Sequence, residues 1–141
     1  MVFSDHFSDQ ARQYASARPL YPNELYKFVA SVAPGRDRVW DCGTGNGQAA
    51  VGLAGFFKRV SATDPSPEQV SNASACAGVE YTVQPAEETT FPASSFDALC
   101  VAQALHWFDL KRFYPEACRV LKPNGVIVAW GYDWFKVSPE F

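Results

Sequence analysis

Basic residues are sparse in this chain and never gather into a stripe. Lysine and arginine total 12 against 15 acids, for a formal charge of -3. Phosphate neutralisation dominates nucleic-acid affinity, so this balance argues against a nucleic-acid partner and for a small molecule. The four cysteines, Cys42, Cys76, Cys100 and Cys118, form no C-x-x-C pair and have no neighbouring histidine. That spacing excludes the usual zinc patterns, and no metal site is expected. Each cysteine lies in an apolar or small-residue stretch, which predicts reduced core thiols in a reducing compartment. No apolar run approaches the roughly 20 residues of a membrane span. The opening Met1-Val2-Phe3-Ser4-Asp5-His6 lacks the basic and apolar regions of a secretory signal, so a soluble, cytoplasmic protein is expected. Repeats and low-complexity linkers are also missing.

What is present is an ordinary globular balance, 48% hydrophobic and 19% charged over 141 residues. That length suits one domain with a core of its own. Short β-branched runs alternate with longer helical stretches. The pattern predicts helices over Phe7–Ala17, Asn23–Ala33, Gln48–Phe57 and Asp109–Leu121, with another opening at Pro67. The second of these carries Leu25, Phe28, Val29 and Val32 and ends at Pro34-Gly35. Ser66 is the natural cap of the helix at Pro67, with Glu68 at its dipole-positive end. Strands are predicted at Arg38–Cys42, Arg59–Asp64, Val79–Gln84, Phe96–Ala102 and Val126–Trp130, with a loop over Pro85–Ser95. Strand alternating with helix implies a parallel sheet in a three-layer α/β sandwich, and the continuous apolar runs Ala98–Ala102 and Val126–Ala129 suit strands buried on both faces. In such sheets ligands bind beyond the carboxyl ends of the strands, where strand order reverses.

The run Val39-Trp40-Asp41-Cys42-Gly43-Thr44-Gly45-Asn46-Gly47 joins the first strand to a helix at that end. Glycines there permit a sharp turn and a close approach of backbone to ligand. Asp64 ends the second strand about 20 residues later, where a carboxylate can accept from the ribose hydroxyls of an adenosine ligand. Two ligand classes fit this arrangement. Gly45-x-Gly47-x-x-Ala50 matches a dinucleotide spacing and would make the chain an NAD(P)-dependent oxidoreductase. Asp41 opposes that reading, because an acid before the glycines repels a pyrophosphate yet orients the cationic end of a sulfonium ligand.

Further motifs accompany these two. They are Pro85-Ala86-Glu87-Glu88 followed by Phe96-Asp97, then Ala102-Gln103-Ala104-Leu105-His106-Trp107-Phe108, and finally Arg119-Val120-Leu121-Lys122-Pro123-Asn124-Gly125. With Asp41–Gly47, with Ala62-Thr63-Asp64-Pro65-Ser66, and with Tyr14, Arg18, Pro19, Tyr21 and Pro22 near the start, the chain resembles class I S-adenosylmethionine-dependent methyltransferases. It is most similar to the methyltransferase type 11 group that includes trans-aconitate methyltransferase-like enzymes. The resemblance runs along nearly the whole chain.

It implies a Rossmann-like sheet of order 3-2-1-4-5 in a single domain over residues 1–141, with a lid segment at 1–22 and a core at 23–141. S-adenosyl-L-methionine is the implied cofactor, and methyl transfer to a small-molecule acceptor, such as a carboxylic acid, the implied reaction. The implied cofactor-binding residues are Tyr14 and Arg18 in the lid, Asp41, Gly43, Thr44 and Gly45 in the first motif, and Asp64 and Pro65 in the second. Ala86 and Glu87 in the adenine-side segment and Gln103 after the fourth strand complete the set. His106 is the one catalytic candidate, as a base or as a pocket wall. Two departures stand out. Pro85 occupies a position where many relatives carry an acid for the adenine amino group. Relatives also continue past the fifth strand with a helix and two strands, whereas this chain stops at Phe141. An exposed fifth strand invites self-association, such as a homodimer, and leaves open a fragment that binds cofactor without catalysis.

Overall fold

The computed structural model describes residues 21–102, 104 and 108–131. Helix α1 (Asn23–Val32) leads into strand β1 (Arg38–Cys42), then α2 (Gln48–Leu53) and β2 (Arg59–Asp64). Helix α3 (Pro67–Asn72), β3 (Val79–Val83), β4 (Phe96–Ala102), α4 (Leu110–Val120) and β5 (Leu121–Trp130) follow. The strands form one parallel sheet of order β3-β2-β1-β4-β5. Reversal of strand order at β1 opens a crevice between the carboxyl ends of β1 and β4, as the alternation of elements predicts.

Side chains alternate across the sheet and create two cores. Val39, Val60, Ala62, Ala98 and Cys100 face Tyr26, Val29 and Ala30 of α1 and Ala49, Ala50 and Leu53 of α2. On the other face Trp40, Cys42, Leu99 and Val101 pack with Phe113, Ala117 and Val120 of α4. Asp41 alternates onto the first face, and its register partner across β2 is Ala62, itself paired with Tyr81 on β3. Three residues in one row of the sheet therefore run from the crevice to the outer edge.

Several expectations need correction. Helix α2 stops at Leu53 rather than Phe57, since Gly52 and Gly55 lower the helical preference of its last turn. Gly52 has a packing reason: a Cβ there would collide with the Tyr26 ring. On α1, Phe28 is 54% exposed and Val32 is also exposed, and the buried stripe is Tyr26, Val29 and Ala30. Cys42 and Cys100 are buried free thiols, but Cys76 is half-buried and Cys118 exposed on α4. Strand β5 starts at Leu121, directly after α4. Its ladder with β4 is interrupted after Phe96↔Leu121 and resumes at Ala98↔Val126. Asn124, at φ 67°, turns the chain within that interruption. The expected Ser66 cap forms, with its hydroxyl accepting from the Gln69 amide at 3.3 Å. Among the described residues no helix is long and apolar enough to cross a membrane, and no cluster of His, Cys, Asp and Glu could hold a metal ion.

Candidate functional site

The turn from β1 to α2 is held by a close set of backbone and side-chain hydrogen bonds. Gly43 and Thr44 both donate their amides to the Thr63 carbonyl, at 2.9 and 2.8 Å. The Gly45 amide donates to Asp64 Oδ2 at 3.0 Å, and the Gly47 amide to the Thr44 carbonyl at 2.9 Å. The loop is thereby stitched to the end of β2. These four amides are committed within the protein, so the bend offers no row of them to a pyrophosphate. That is a physical argument against the dinucleotide alternative, whose loop must turn its amides to the ligand.

Gly43 sits at φ +74°, and a Cβ on it would lie 2.7 Å from Ala104 Cβ, so both conformation and space require glycine. Asp41 lies beneath this loop and is fully buried. Thr44 Oγ1 donates to its Oδ2 at 2.6 Å, while Oδ1 has no hydrogen-bond partner. Burial pushes the Asp41 carboxyl up to about 6. The Thr44 hydroxyl opposes that shift, the nearby Asp64 charge adds to it, and the Ala50 amide in the first turn of α2 opposes it weakly. A buried acceptor with an empty lone-pair set is costly unless something supplies a proton or a cation.

Asp64 stands at the end of β2 with Oδ1 accepting from the Ser66 amide at 2.9 Å and Oδ2 from Gly45. Burial raises its pKa, and the two amides pull it back. A carboxylate has about four lone-pair sites, so two remain for a ligand's hydroxyls. Among the described residues no ion pair reaches Asp41 or Asp64. Two acids side by side lend this crevice negative charge.

The remaining expected residues divide. Pro65 is exposed beside Asp64. Ala86 is buried in the core on the α4 side with Trp40 and Cys42. Glu87 Oε2 accepts from the Asp109 amide at 2.8 Å, which ties the loop after β3 to the start of α4. Tyr14, Arg18, Gln103 and His106 lie outside the described residues, as does most of the expected lid. The structure adds one residue that sequence reasoning missed. Tyr81 on β3 lies directly against Gly47. Only the pairing of β3 with β2, and of β2 with β1, reveals it.

A family model described as a methyltransferase domain matches residues 40–129 of the chain. The chain belongs to the methyltransferase domain family. Its parallel sheet of order 3-2-1-4-5 makes it a class I, Rossmann-like member. A Dictyostelium discoideum protein that carries a methyltransferase name is 41% identical over 137 residues, which is 96% of this chain and 52% of that protein. An uncharacterized methyltransferase of Mycobacterium tuberculosis is 37% identical over 122 residues, covering 84% of this chain and 49% of its own. A solved structure described as a type II methyltransferase from Anaeromyxobacter dehalogenans superposes with a TM-score of 0.79 at 48% identity, covering 82% of this chain and 49% of that one. The chain spans about half the length of the curated relatives it matches.

Proposed function

We propose that this domain binds S-adenosyl-L-methionine in the crevice beyond β1 and β2, and that the protein transfers its methyl group to a small-molecule acceptor. The observation that carries the reading is Asp41: a fully buried carboxyl with one unpartnered oxygen, next to a second acid, under a bend built from positive-φ glycines. A cationic adenosyl ligand fits both acids. Asp64 would take the ribose hydroxyls on its two free lone-pair sites, and Asp41 the charged amino end. Gly43, Thr44 and Gly45 let the ligand approach the loop closely. Pro65, Ala86 and Glu87 would flank the adenosine, with Tyr14, Arg18 and Gln103 assigned to it from the family resemblance.

When bound, the cofactor supplies an electrophilic methyl group on sulfur that an aligned nucleophile takes by in-line displacement. The work left to this chain is to orient and to exclude water, and orientation alone is worth about 7–11 kcal/mol. A small carboxylic acid is the acceptor class proposed first, on the likeness to trans-aconitate methyltransferase-like enzymes. Such an acceptor is already anionic and needs no base, so His106 is assigned to the pocket wall. The four free thiols suit a reducing, cytoplasmic setting.

The experiment is transfer of a labelled methyl group to a panel of small carboxylic acids, run beside a calorimetric titration with S-adenosylhomocysteine. Asp64→Ala is expected to weaken that binding tenfold or more, as loss of about 1.5–3 kcal/mol implies. Unchanged affinity removes Asp64 from the ribose role. Binding without transfer to any acid favours a cofactor-binding module over an enzyme.

Strand β5 supports a second reading, self-association. It is the last strand of the sheet among the described residues, and Ile127 and Ala129 on it are exposed. A strand with one open edge pairs readily with another. Sedimentation at high concentration tests it, and a strictly monomeric species rejects it.

A further inference from the structure

Tyr81 belongs to neither the acid pair nor the glycine bend, yet it touches the bend from the outermost strand. Asp41, Ala62 and Tyr81 occupy successive positions of one row across β1, β2 and β3. Parallel register partners point to the same face, and adjacent strands lie only about 4.8 Å apart. The middle residue of the row is an alanine, so nothing tall stands between Tyr81 and the loop. The Tyr81 ring leans across β2 and lies against Gly47. A Cβ on Gly47 would come within 3.0 Å of Tyr81 Cζ and collide with the hydroxyl oxygen. Gly47 also sits at φ +87°, a conformation that a side chain would strain.

The hydroxyl makes a second connection. Tyr81 Oη donates to the Ser74 carbonyl at 2.7 Å, and the Ser74 amide donates to the Asn46 carbonyl at 3.2 Å. Asn46 Oδ1 in turn accepts from the Gln48 amide at 3.2 Å, at the start of α2. A single side chain thus supports Gly47 by contact and Asn46 through residue 74. Burial, with the Asp41 and Cys76 charges adding to it, raises the Tyr81 pKa, which keeps the phenol protonated and donating.

We propose that Tyr81 is a positioning residue for the cofactor loop, holding Asn46 and Gly47 so that the bend keeps its shape above Asp41. The assignment to cofactor binding rests on the proposed function, but the bracing of the loop does not. An ordinary structural tyrosine would contribute to stability alone. A positioning residue changes loop order and ligand affinity by more than its effect on stability accounts for.

The test uses the 141-residue chain with Tyr81→Phe, Tyr81→Ala and a control, Val83→Ala, on the same strand with an exposed side chain. Three quantities are read: hydrogen exchange of the Gly45 and Gly47 amides in the free chain, calorimetric affinity for S-adenosylhomocysteine, and the thermal midpoint. Tyr81→Phe is expected to speed exchange at Gly47 and to weaken binding about fivefold, with the midpoint lowered by no more than the few degrees that one lost neutral hydrogen bond accounts for. Tyr81→Ala is expected to do more of both, and the control neither. If Tyr81→Ala does not fold, Tyr81→Phe decides alone. Exchange and affinity both unchanged in Tyr81→Phe overturn the proposal, as does a loss of affinity that only follows a fallen midpoint. Faster exchange in a chain whose parent binds no S-adenosylhomocysteine supports the brace and rejects the cofactor reading, so the two failures are distinguishable.

Discussion

Two carboxyl groups are buried within this sheet, Asp41 near the carboxyl end of β1 and Asp97 at the amino end of β4, at 0% and 3% exposure. Asp97 is fully supplied. Its Oδ2 accepts from the amides of Asp37 and Arg38 at 3.0 Å each, and Lys122 Nζ donates to Oδ1 at 3.2 Å and reaches Oδ2 at 3.3 Å. Asp41 has one hydroxyl, the weak pull of the Ala50 amide, one oxygen without a hydrogen-bond partner and a second acid for a neighbour. Both are acids on apolar strands, and burial costs both the same kind of desolvation. One end of the sheet spends its acid on the fold; the other keeps its acid short of partners. A buried group left unsatisfied in a protein that folds calls for an explanation, and a cationic ligand supplies one.

Substitution separates the two most sharply at Asp97. Asp97→Ala is expected to cost about 3–5 kcal/mol of stability, because it strips two amides of their acceptor and leaves Lys122 without its buried partner. Chemical denaturation measures this, and a cost below that of an ordinary surface change would remove the contrast. Asp41→Asn should act in the opposite direction. The rise of the Asp41 pKa from 3.8 to about 6 corresponds to roughly 3 kcal/mol held against its ionised form. The folded chain therefore binds this proton more tightly than the unfolded chain, and the group's contribution falls as pH rises from about 4 to 6. Above pH 6 the amide variant is expected to be more stable than the parent by about 1–3 kcal/mol, with the gain gone below pH 4. The same variant should lose tenfold or more in affinity for S-adenosylhomocysteine. A variant that is destabilised at pH 8 would show that Asp41 serves the fold.

Glu116 gives the smallest effect and the reverse slope. Its bonds to Arg119, with the Thr89 hydroxyl and amide, hold its carboxyl down at about 2 against the cost of burial. Its contribution is present above the unfolded glutamate value of about 4 and is lost as pH falls toward 2. Arg119 is exposed, so solvent screening limits the worth of the pair to about 1 kcal/mol. Glu116→Gln is expected to lower stability by no more than that at pH 7, and to match the parent near pH 2.

How much of this was legible in the residues follows from the range of the forces involved. Local signals read well. The strand runs, the Ser66 cap and the glycine bend each depend on neighbours within a few positions, and the structure reproduces them, except that β5 is not buried on both faces as its apolar run suggested: Ile127 and Ala129 are exposed. Asp41 and Asp64 stand at the expected strand ends for the same reason. Partners distant in sequence did not read. That Phe28 faces solvent, that Glu87 serves the Asp109 amide and that Tyr81 reaches Gly47 all depend on which strands and helices meet. That Gly52 of α2 must lack a side chain depends likewise on the Tyr26 ring, a contact from another helix. The contrast between Asp41 and Asp97 was equally hidden, since only the folded chain brings Lys122 to one of them and no cation among the described residues to the other.

The most direct measurement is a calorimetric titration of the chain with S-adenosylhomocysteine from pH 5 to pH 8 in buffers of differing ionisation enthalpy. Saturable binding is expected, with proton release near pH 6 and an affinity that falls about tenfold per unit below it as the Asp41 proton must be displaced. No binding at millimolar ligand, or binding indifferent to pH across that window, would contradict the assignment of Asp41 to a cationic ligand.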